Sequence, residues 1–225
     1  MTNQTLLEDL YVGVLLTLIF LIVIRKYTIS IWFYIVHSFL LGLIYVWYAS
    51  NLNNPMMYLW FFTTILSQVV LIPFAPGGLF YTVKKCNATE VKPILPFGVS
   101  LAFISLLAVG GWEFFHYIID SIAPTPEATL EPVRSNLAIG FTVFSLGLCT
   151  LLTRRDAIKT VLALCIMGNG IDVTLVDLTP AMAETAVLGI LTDVILSVFI
   201  LLYLSRLIYE KFGALDTMKL SELKY

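Results

Sequence analysis

The sequence predicts an all-α integral membrane protein with seven transmembrane helices, and three observations support this fold class. Of the 225 residues, 59% are hydrophobic and only 12% are charged, and the mean hydropathy is +0.93. The surface of a soluble domain of this size would need far more charge. Apolar runs of about 20 residues, the length that crosses a bilayer, recur along the chain. Between these runs, the basic residues fall almost entirely on one side of the membrane.

The predicted spans, in chain order, are 8–24, 30–49, 56–79, 96–119, 136–153, 157–178 and 184–208. The first follows an acidic start, "MTNQTLLEDLY", with no basic region and no cleavage site. We therefore expect it to stay as a helix rather than to be removed as a signal peptide. The third contains "IPFAPGGLF", whose prolines and glycines predict that the helix ends or unwinds near Pro73.

The lysines and arginines predict the orientation of these spans. Twelve of the 13 fall on one side of the predicted topology, and only Arg134 falls on the other. The positive-inside rule then puts the N-terminus outside and the C-terminus in the cytoplasm. The outer segments carry acidic residues instead, and this regular alternation supports the count of seven spans.

Two pairs of segments resemble each other and predict an internal repeat. "LSQVVLIPF" (66–74) aligns without gaps on "LTDVILSVF" (191–199), and "RKYTISIWFYIV" (25–36) parallels "RRDAIKTVLALC" (154–165). Because four helices separate matching members, both copies would point the same way through the membrane, as a parallel repeat. The alternative is that apolar helices resemble each other by composition alone. The repeat predicts an N-terminal three-helix unit (1–95), a linker helix with an outer loop (96–135), a second three-helix unit (136–208) and a cytoplasmic tail (209–225).

The last span contains a single carboxylate, Asp193, about nine residues or roughly 13 Å from its outer end. An ionised carboxylate at such a depth costs at least about 2.5–3.5 kcal/mol, and intramembrane acids usually mark ion pathways. Asp193 is therefore predicted to act in an ion relay, by facing a wet cavity, pairing with a cation or holding a proton. The alternative is a protonated side chain bonded to a neighbouring helix. Its counterpart in the predicted repeat, Gln68, is polar but cannot ionise.

Other polar residues inside the spans are candidates for the same relay. Cys165, Asn169 and Asp172 are spaced four and three residues apart on the sixth span, so they share one face. Asp172 is either a protonatable group or an acid near the outer mouth, whereas Asn169 favours an interhelical hydrogen bond. His37 on the second span is either a bonded core residue or a proton relay.

Neither composition nor motifs indicate a soluble enzyme or a nucleic-acid-binding protein. The chain has no basic stripe, nucleophile motif, phosphate loop or haem or iron–sulfur cysteine spacing, and its three cysteines are scattered. Glu113 and His116 in "WEFFHY" lie one turn apart and can pair, but two ligands on one helix do not indicate a metal site. Any redox chemistry is therefore expected in another subunit.

Longer segments are similar to a known family of membrane subunits. "FTVFSLGLCTLLTRRDAIKTVLALCIMGNGIDVTL", "GILTDVILSVFILLYLSRLI" and "GALDTMKLSELK" resemble the K subunit of respiratory complex I and the C subunit of multisubunit Na⁺/H⁺ antiporters. The seven-span layout, with "SQVVLIPF" in the first half, resembles the hydrogenase-4 component E family of membrane-bound [NiFe] hydrogenases and formate hydrogenlyases.

This resemblance implies a non-catalytic membrane subunit of a redox-driven ion pump in a prokaryotic cytoplasmic membrane. Antiporter-like membrane subunits would be its partners, and the NiFe centre and iron–sulfur clusters would lie in partner subunits. The K subunit has two membrane glutamates. One aligns with Asp193, and the other falls at Cys165, which cannot do the same work, so that Asp172 on the same face would substitute. Relatives of component E often carry a lysine at Gln68.

We therefore predict that Asp193, Asp172, His37, Gln68 and Asn169 contribute to H⁺ or Na⁺ translocation, and the resemblance implies that Asp193 and Asp172 are the protonatable residues. Two alternatives come from other classes of protein. The chain would be a stand-alone secondary transporter of a small solute if the broken third span and "GNG" formed a binding site. It would be a structural scaffold subunit if Asp193 were locked in one hydrogen bond.

Overall fold

A computed structural model describes residues 2–52, 54–88, 96–123, 125–126, 128, 131–178, 184–213 and 215. The helices in this part of the chain are α1 (Thr2–Val23), α2 (Tyr27–Asn51), α3 (Met56–Thr64), a π-helical segment (Ile65–Leu71), α4 (Ile72–Phe74), α5 (Leu79–Cys86), α6 (Phe97–Ile122), α7 (Val133–Thr153), α8 (Ala157–Leu178) and α9 (Glu184–Phe212). Seven helical stretches are long and apolar enough to cross a membrane. The predicted fold class is confirmed.

The third span is broken where the prolines and glycines predicted it. The helix ends at Phe74, and Ala75 is extended, with a ψ of 156°. Gly77 has a φ of +91°, a conformation that favours glycine, and a Cβ on Gly78 would lie 2.5 Å from the carbonyl oxygen of Ile72. The chain then turns into α5. The π-helical segment directly before Pro73 is a distortion that the sequence pattern did not predict.

A polar side chain caps the start of α8. Asp156 lies in the turn between α7 and α8, and its Oδ1 accepts a hydrogen bond from the backbone N–H of Lys159 at 2.9 Å. This is the bond of an N-cap residue to the first turn of a helix. α9 continues past the predicted end of the last span to Phe212. Most of the predicted tail, 209–225, lies outside the described residues.

Helices α2 and α8 lie inside the molecule, whereas α6 and α9 lie at its periphery. Over their most apolar stretches, α2 and α8 bury 56% and 61% of residues, but α6 and α9 each bury 17%. The closest packed pair is α7 with α8, and glycines allow this approach. A Cβ on Gly170 would lie 2.5 Å from the backbone nitrogen of Phe144.

The two ends of the helical bundle differ in charge, as the basic residues predicted. We define the basic end as the one formed by the α1–α2 turn, the α7–α8 turn, α5 and the end of α9. There the hydroxyl of Tyr27 donates to Asp156, and Lys85 pairs with Glu210 at 2.7 Å. We define the acidic end as the opposite one, formed by the α2–α3 turn, the end of α6, the start of α7 and the end of α8. There Asp120 pairs with Arg134 at 3.4 Å, and the hydroxyl of Tyr48 donates to the carbonyl of Pro132 at 3.0 Å. The side of the membrane that each end faces stays a prediction.

Candidate ion-translocation site

Four of the five predicted site residues are buried inside the molecule. Their relative exposures are 0% for His37, 4% for Gln68, 1% for Asn169 and 8% for Asp172. They come from three elements, because His37 lies on α2, Gln68 on the π-helical segment, and Asn169 and Asp172 on α8. The fifth, Asp193, is exposed on α9.

The centre of the site is a contact between the third span and α8. The side-chain amide of Gln68 donates a long hydrogen bond of 3.4 Å to Asp172 Oδ2. Gln68 lies within the π-helical segment, and π-helical turns are frequent at functional sites. The segment buries both Ser67 and Gln68 although they are neighbours in sequence, and it aims the amide at α8.

A small polar cavity lies beside this contact. Its volume is about 10 Å³, close to the space that one water molecule needs. Gln68 and Asp172 line it together with Trp60 and hydroxyl side chains of the third span and with apolar side chains of α9. The hydroxyl residues are Thr63, Thr64 and Ser67, and the residues of α9 are Val187, Ile190, Leu191 and Val194. A carboxylate that faces such a cavity can exchange a proton through a bound water.

Asn169 and His37 join α2 to its neighbours one turn away from this contact. Asn169 Nδ2 donates to Ser38 Oγ at 3.3 Å, which confirms the expected interhelical hydrogen bond. His37 Nδ1 lies 3.2 Å from the carbonyl oxygen of Val14, so Nδ1 carries the proton of that bond. In the neutral ring His37 Nε2 is then an acceptor. Within the described part of the chain, neither this nitrogen nor Asn169 Oδ1 has a hydrogen-bond partner.

Asp193 is not brought to this cluster. Its neighbours Leu191 and Val194 line the cavity from α9, but its own side chain is on the exposed face of that helix. Among the described residues it has no hydrogen bond or ion pair. Gln68 and Asp193, aligned in the predicted repeat, therefore face in different directions, one into the molecule and one away from it. The role of Asp193 in a relay stays a prediction.

The sequence analysis missed a second buried carboxylate, Asp177 on α8. Asn136 Nδ2 at the start of α7 donates to Asp177 Oδ2 at 2.7 Å, and the two residues are 0% and 8% exposed, respectively. The signal was present, since Asp177 follows Asp172 by five residues in the same apolar span. It was overlooked because its position near the end of the span resembles that of an interfacial acid.

A polar cluster at the basic end was also missed. Lys159 is 1% exposed, and its Nζ donates to the carbonyls of Leu21 and Ile24 at 3.1 and 2.7 Å and to Ser30 Oγ at 2.6 Å. Two of these acceptors are carbonyls at the C-terminal end of α1, where a helix favours a cation. Since all three ammonium donors are occupied, we assign Lys159 a structural role.

Asp156, in the same cluster, lies in the turn between two spans and is 2% exposed. Burial raises the pKa of the Asp156 carboxyl above its ordinary value, although the hydrogen bonds from Tyr27 and from the backbone of α8 act in the opposite direction.

The pair predicted in "WEFFHY" has a different partner. His116 Nε2 lies 3.6 Å from Oε1 of Glu131, which precedes the start of α7, rather than against Glu113. Both partners are more than a third exposed, so this pair belongs to the surface of the acidic end. In the described ranges, no group of three His, Cys, Asp or Glu side chains is arranged to hold a metal ion.

Comparisons with known proteins match the segments that carry these residues. Residues 136–225 match the family model "NADH-ubiquinone/plastoquinone oxidoreductase chain 4L", which covers α7, α8 and α9. Over 224 residues the chain is 25% identical to hydrogenase-4 component E of Escherichia coli K12, of Escherichia coli O157:H7 and of Shigella flexneri, with 100% of each chain covered. No solved structure matches the chain. The predicted resemblances to a complex I subunit and to hydrogenase-4 component E are confirmed, whereas the resemblance to the antiporter C subunit stays a prediction.

Proposed function

We propose that this chain is a membrane subunit of a redox-driven ion-translocating complex. It is a multi-pass membrane chain that is similar over its whole length to hydrogenase-4 component E, and its last three spans match the chain 4L family. In this proposal the chain has no redox centre. The NiFe centre and iron–sulfur clusters belong to partner subunits, and this chain moves H⁺ or Na⁺ when electron transfer changes the charge distribution around it.

The observation that carries this proposal is the Gln68–Asp172 contact beside a cavity of one-water size. A carboxylate buried between transmembrane helices and facing polar side chains is the usual mark of an ion or proton pathway. Gln68 stabilises the ionised form of Asp172 by donating to it, and the long bond leaves room for a water to compete. His37, Ser38 and Asn169 extend the polar surroundings of Asp172 along α2 and α8.

Asp193 has a different place in this proposal. Its carboxylate faces outward in mid-span, where contact with lipid would be costly. We infer that a membrane subunit with antiporter-like helices covers this face of α9 and provides a hydrogen-bond donor or a cation for Asp193. The ion route would then pass between subunits at Asp193 and within this chain at Asp172.

The stand-alone transporter has less support. A solute site needs a cavity of several hundred Å³ with convergent polar groups. The polar cavity at Asp172 is about 10 Å³, and the larger groove between α6 and α7, about 670 Å³, is lined almost entirely by apolar side chains. Copurification separates the two functions, since a transporter is stable alone and a pump subunit brings many partners.

The proposed function is tested by Asp172→Asn in the assembled complex. In membrane vesicles supplied with the electron donor of the complex, ion uptake is measured with a pH-sensitive dye and with radioactive Na⁺ while substrate turnover is followed. Removing the ionisable group should reduce ion uptake per turnover by roughly tenfold or more, because a positioned acid–base group contributes about 10²–10⁴-fold to proton transfer.

The matched control is Asp120→Asn, which changes a carboxylate on the surface of the acidic end, paired with Arg134 at 3.4 Å. This variant should keep full coupling. Unchanged ion uptake per turnover in an assembled Asp172→Asn complex would show that Asp172 is structural, and the proposed function would lose its main support.

A further inference from the structure

A second buried carboxylate lies closer to the acidic end than the site proposed above. Asp177 follows Asp172 on α8 by five residues, or roughly 7.5 Å along the helix axis. Its Oδ2 accepts a hydrogen bond from Asn136 at 2.7 Å, and Asn136 is itself completely buried.

Buried polar side chains also recur along α2. They occur at intervals of three, four or seven residues, so they form one stripe on the helix that faces α8; the stripe consists of Ser30, Tyr34, Ser38, Tyr45 and Tyr48. Each of these side chains is 0–1% exposed. Polar side chains on the buried face of a transmembrane helix can hydrogen-bond across to neighbouring helices.

Polar residues of α8 bond this stripe at two positions along the helix. Lys159 bonds Ser30 at 2.6 Å at the basic end, and Asn169 bonds Ser38 at 3.3 Å in the middle. From Lys159 to Asn169 the helix rises by roughly 15 Å, so these two bonds join α2 and α8 over about half of the bilayer core, which is about 30 Å thick.

Four buried acceptor atoms on α2, α7, α8 and the third span have no hydrogen-bond partner within the described chain. They are His37 Nε2, Gln68 Oε1, Asn136 Oδ1 and Asn169 Oδ1. Such atoms are rare in native proteins, and they commonly take ordered water as a partner. Two of them flank the carboxylates, since Gln68 bonds Asp172 and Asn136 bonds Asp177. The amides thus offer a free acceptor next to each acid, where a water that carries a proton can bind.

We propose that Asp177, held by Asn136, is a second proton-binding site and ends a route of hydrogen-bonded side chains and waters that runs inside this chain between α2 and α8. This proposal rests on the proposed function and adds to it the exit of the route at the acidic end.

The transferred ion at this site is a proton rather than a metal cation. Asn136 directs an N–H at the carboxylate, and one carboxylate with one amide oxygen offers far fewer oxygen ligands than the roughly six to eight that a hard cation takes. In the transfer, the O–H bond of protonated Asp172 breaks, its proton binds a water held at the free amide oxygen of Gln68, and a proton of that water passes on through bound waters. A new O–H bond forms on the carboxylate of Asp177. No electron moves, and Asp177 then releases the proton to water at the acidic end.

Two substitutions at one position separate this role from simple helix packing. Asp177→Asn keeps a side chain that bonds Asn136 but cannot ionise, whereas Asp177→Glu keeps the carboxyl and disturbs the packing. In the complete complex, we expect proton uptake per turnover to fall by roughly tenfold or more in Asp177→Asn and to recover at least in part in Asp177→Glu. Asp120→Asn again is the control. The opposite order, with Asp177→Asn coupled normally and Asp177→Glu impaired, would overturn the proposal.

Comparison with Asp172→Asn distinguishes this result from failure of the proposed function. Loss of coupling in Asp172→Asn with normal coupling in Asp177→Asn would leave the proposed function standing and refute the exit at Asp177. Normal coupling in both would refute both.

A measurement on the wild-type complex covers the case in which a variant does not assemble. Dicyclohexylcarbodiimide reacts with protonated carboxyl groups in membranes, and mass spectrometry locates the adduct. Asp177 should be modified faster as the pH falls and more slowly when Asp172 has reacted first. Absence of an adduct at Asp177 at every pH, while Asp172 is modified, would overturn the proposal.

Discussion

Polar residues of the α7–α8 turn and of the first turn of α8 hold the two halves of the chain together at the basic end. Lys159 binds carbonyls at the end of α1, and Asp156 accepts hydrogen bonds from Tyr27 and from the first turn of α8. Tyr27, Asp156 and Lys159 are each 3% exposed or less. Buried polar groups with every bond satisfied give a specific structure, but a carboxylate among them is costly when it is ionised.

The raised pKa of Asp156 predicts how stability changes with pH. The folded chain binds a proton at Asp156 more tightly than the unfolded chain, whose carboxyl has its ordinary pKa of 3.8. The contribution to stability is therefore complete below this value, falls as the pH rises towards the raised folded pKa and is constant above it. Asp156→Asn keeps a good N-cap without an ionisable group.

Thermal unfolding of the detergent-solubilised wild type and of Asp156→Asn, from about pH 4 to about pH 7, tests this sign. The midpoint of the wild type should fall relative to that of the variant as the pH rises. A relative gain of the wild type with pH would mean that the positive charge of Lys159 outweighs the burial of the carboxyl.

At the scale of helices, two glycines of α8 that are two residues apart have opposite surroundings. A Cβ on Gly170 would lie 2.5 Å from the backbone nitrogen of Phe144 and 2.7 Å from the carbonyl oxygen of Gly140, both on α7. A Cβ on Gly168 would have no atom within 4 Å. The short motif "GNG" therefore contains one glycine that the packing of α7 on α8 requires and one that it does not.

We predict that Gly170→Ala destabilises the protein and that Gly168→Ala does not. The methyl at position 170 must push two backbones apart, and overpacking of this kind costs about 1–3 kcal/mol. The shift would also lengthen the Asn136–Asp177 bond between the same two helices. At position 168, alanine gains about 0.5–1 kcal/mol of helix propensity. Unfolding midpoints of the two variants in one detergent give the comparison, and equal midpoints would contradict the close approach.

How far the helices could be predicted depends on what sequence patterns encode. The lengths of the apolar runs predicted all seven spans, and Pro73 predicted the break in the third span, because span length and helix breaking both depend on local chemistry. The π-helical segment has no such signature. The sequence could not predict on which face of α9 Asp193 lies either. Lipid-facing and core-facing positions of a membrane helix are equally apolar, so they give no hydrophobic periodicity. Gln68 and Asp172 were identified as residues, but their contact depends on the π-helical segment.

At the scale of the whole molecule, contacts at the basic end bear on the predicted repeat. In the alignment of 25–36 with 154–165, Tyr27 corresponds to Asp156 and Ser30 to Lys159. The structure joins each residue of these pairs to its counterpart, with Tyr27 bonded to Asp156 and Ser30 to Lys159. Two copies related by a two-fold axis contact each other through equivalent residues where the axis passes. This supports an axis along the membrane normal between α2 and α8, although the repeat stays a prediction.

Such an arrangement puts the proposed proton route on the boundary between the two halves. It leaves α6 and α9 at the periphery, and the exposed faces of these two helices differ. On α9, Gly189, Asp193 and Ser197 form an exposed stripe of small or polar residues at intervals of four. Small residues at this spacing let another transmembrane helix approach closely. The exposed part of α6, in contrast, presents bulky apolar groups such as Leu106 and Phe114.

We therefore predict that α9 contacts another membrane subunit through this stripe. A photo-crosslinking benzoylphenylalanine in place of Ser197 should give a crosslink to a membrane subunit when the complete complex is irradiated. The same residue in place of Leu106 on α6, a bulky apolar position, is the comparison for crosslinks that depend only on exposure. Adding Asp193→Leu should reduce the crosslink at position 197, because the partner loses the carboxylate that its donor or cation binds. Crosslinks from position 197 to lipid alone would instead put Asp193 against hydrocarbon, and a role for this residue between subunits would then be refuted.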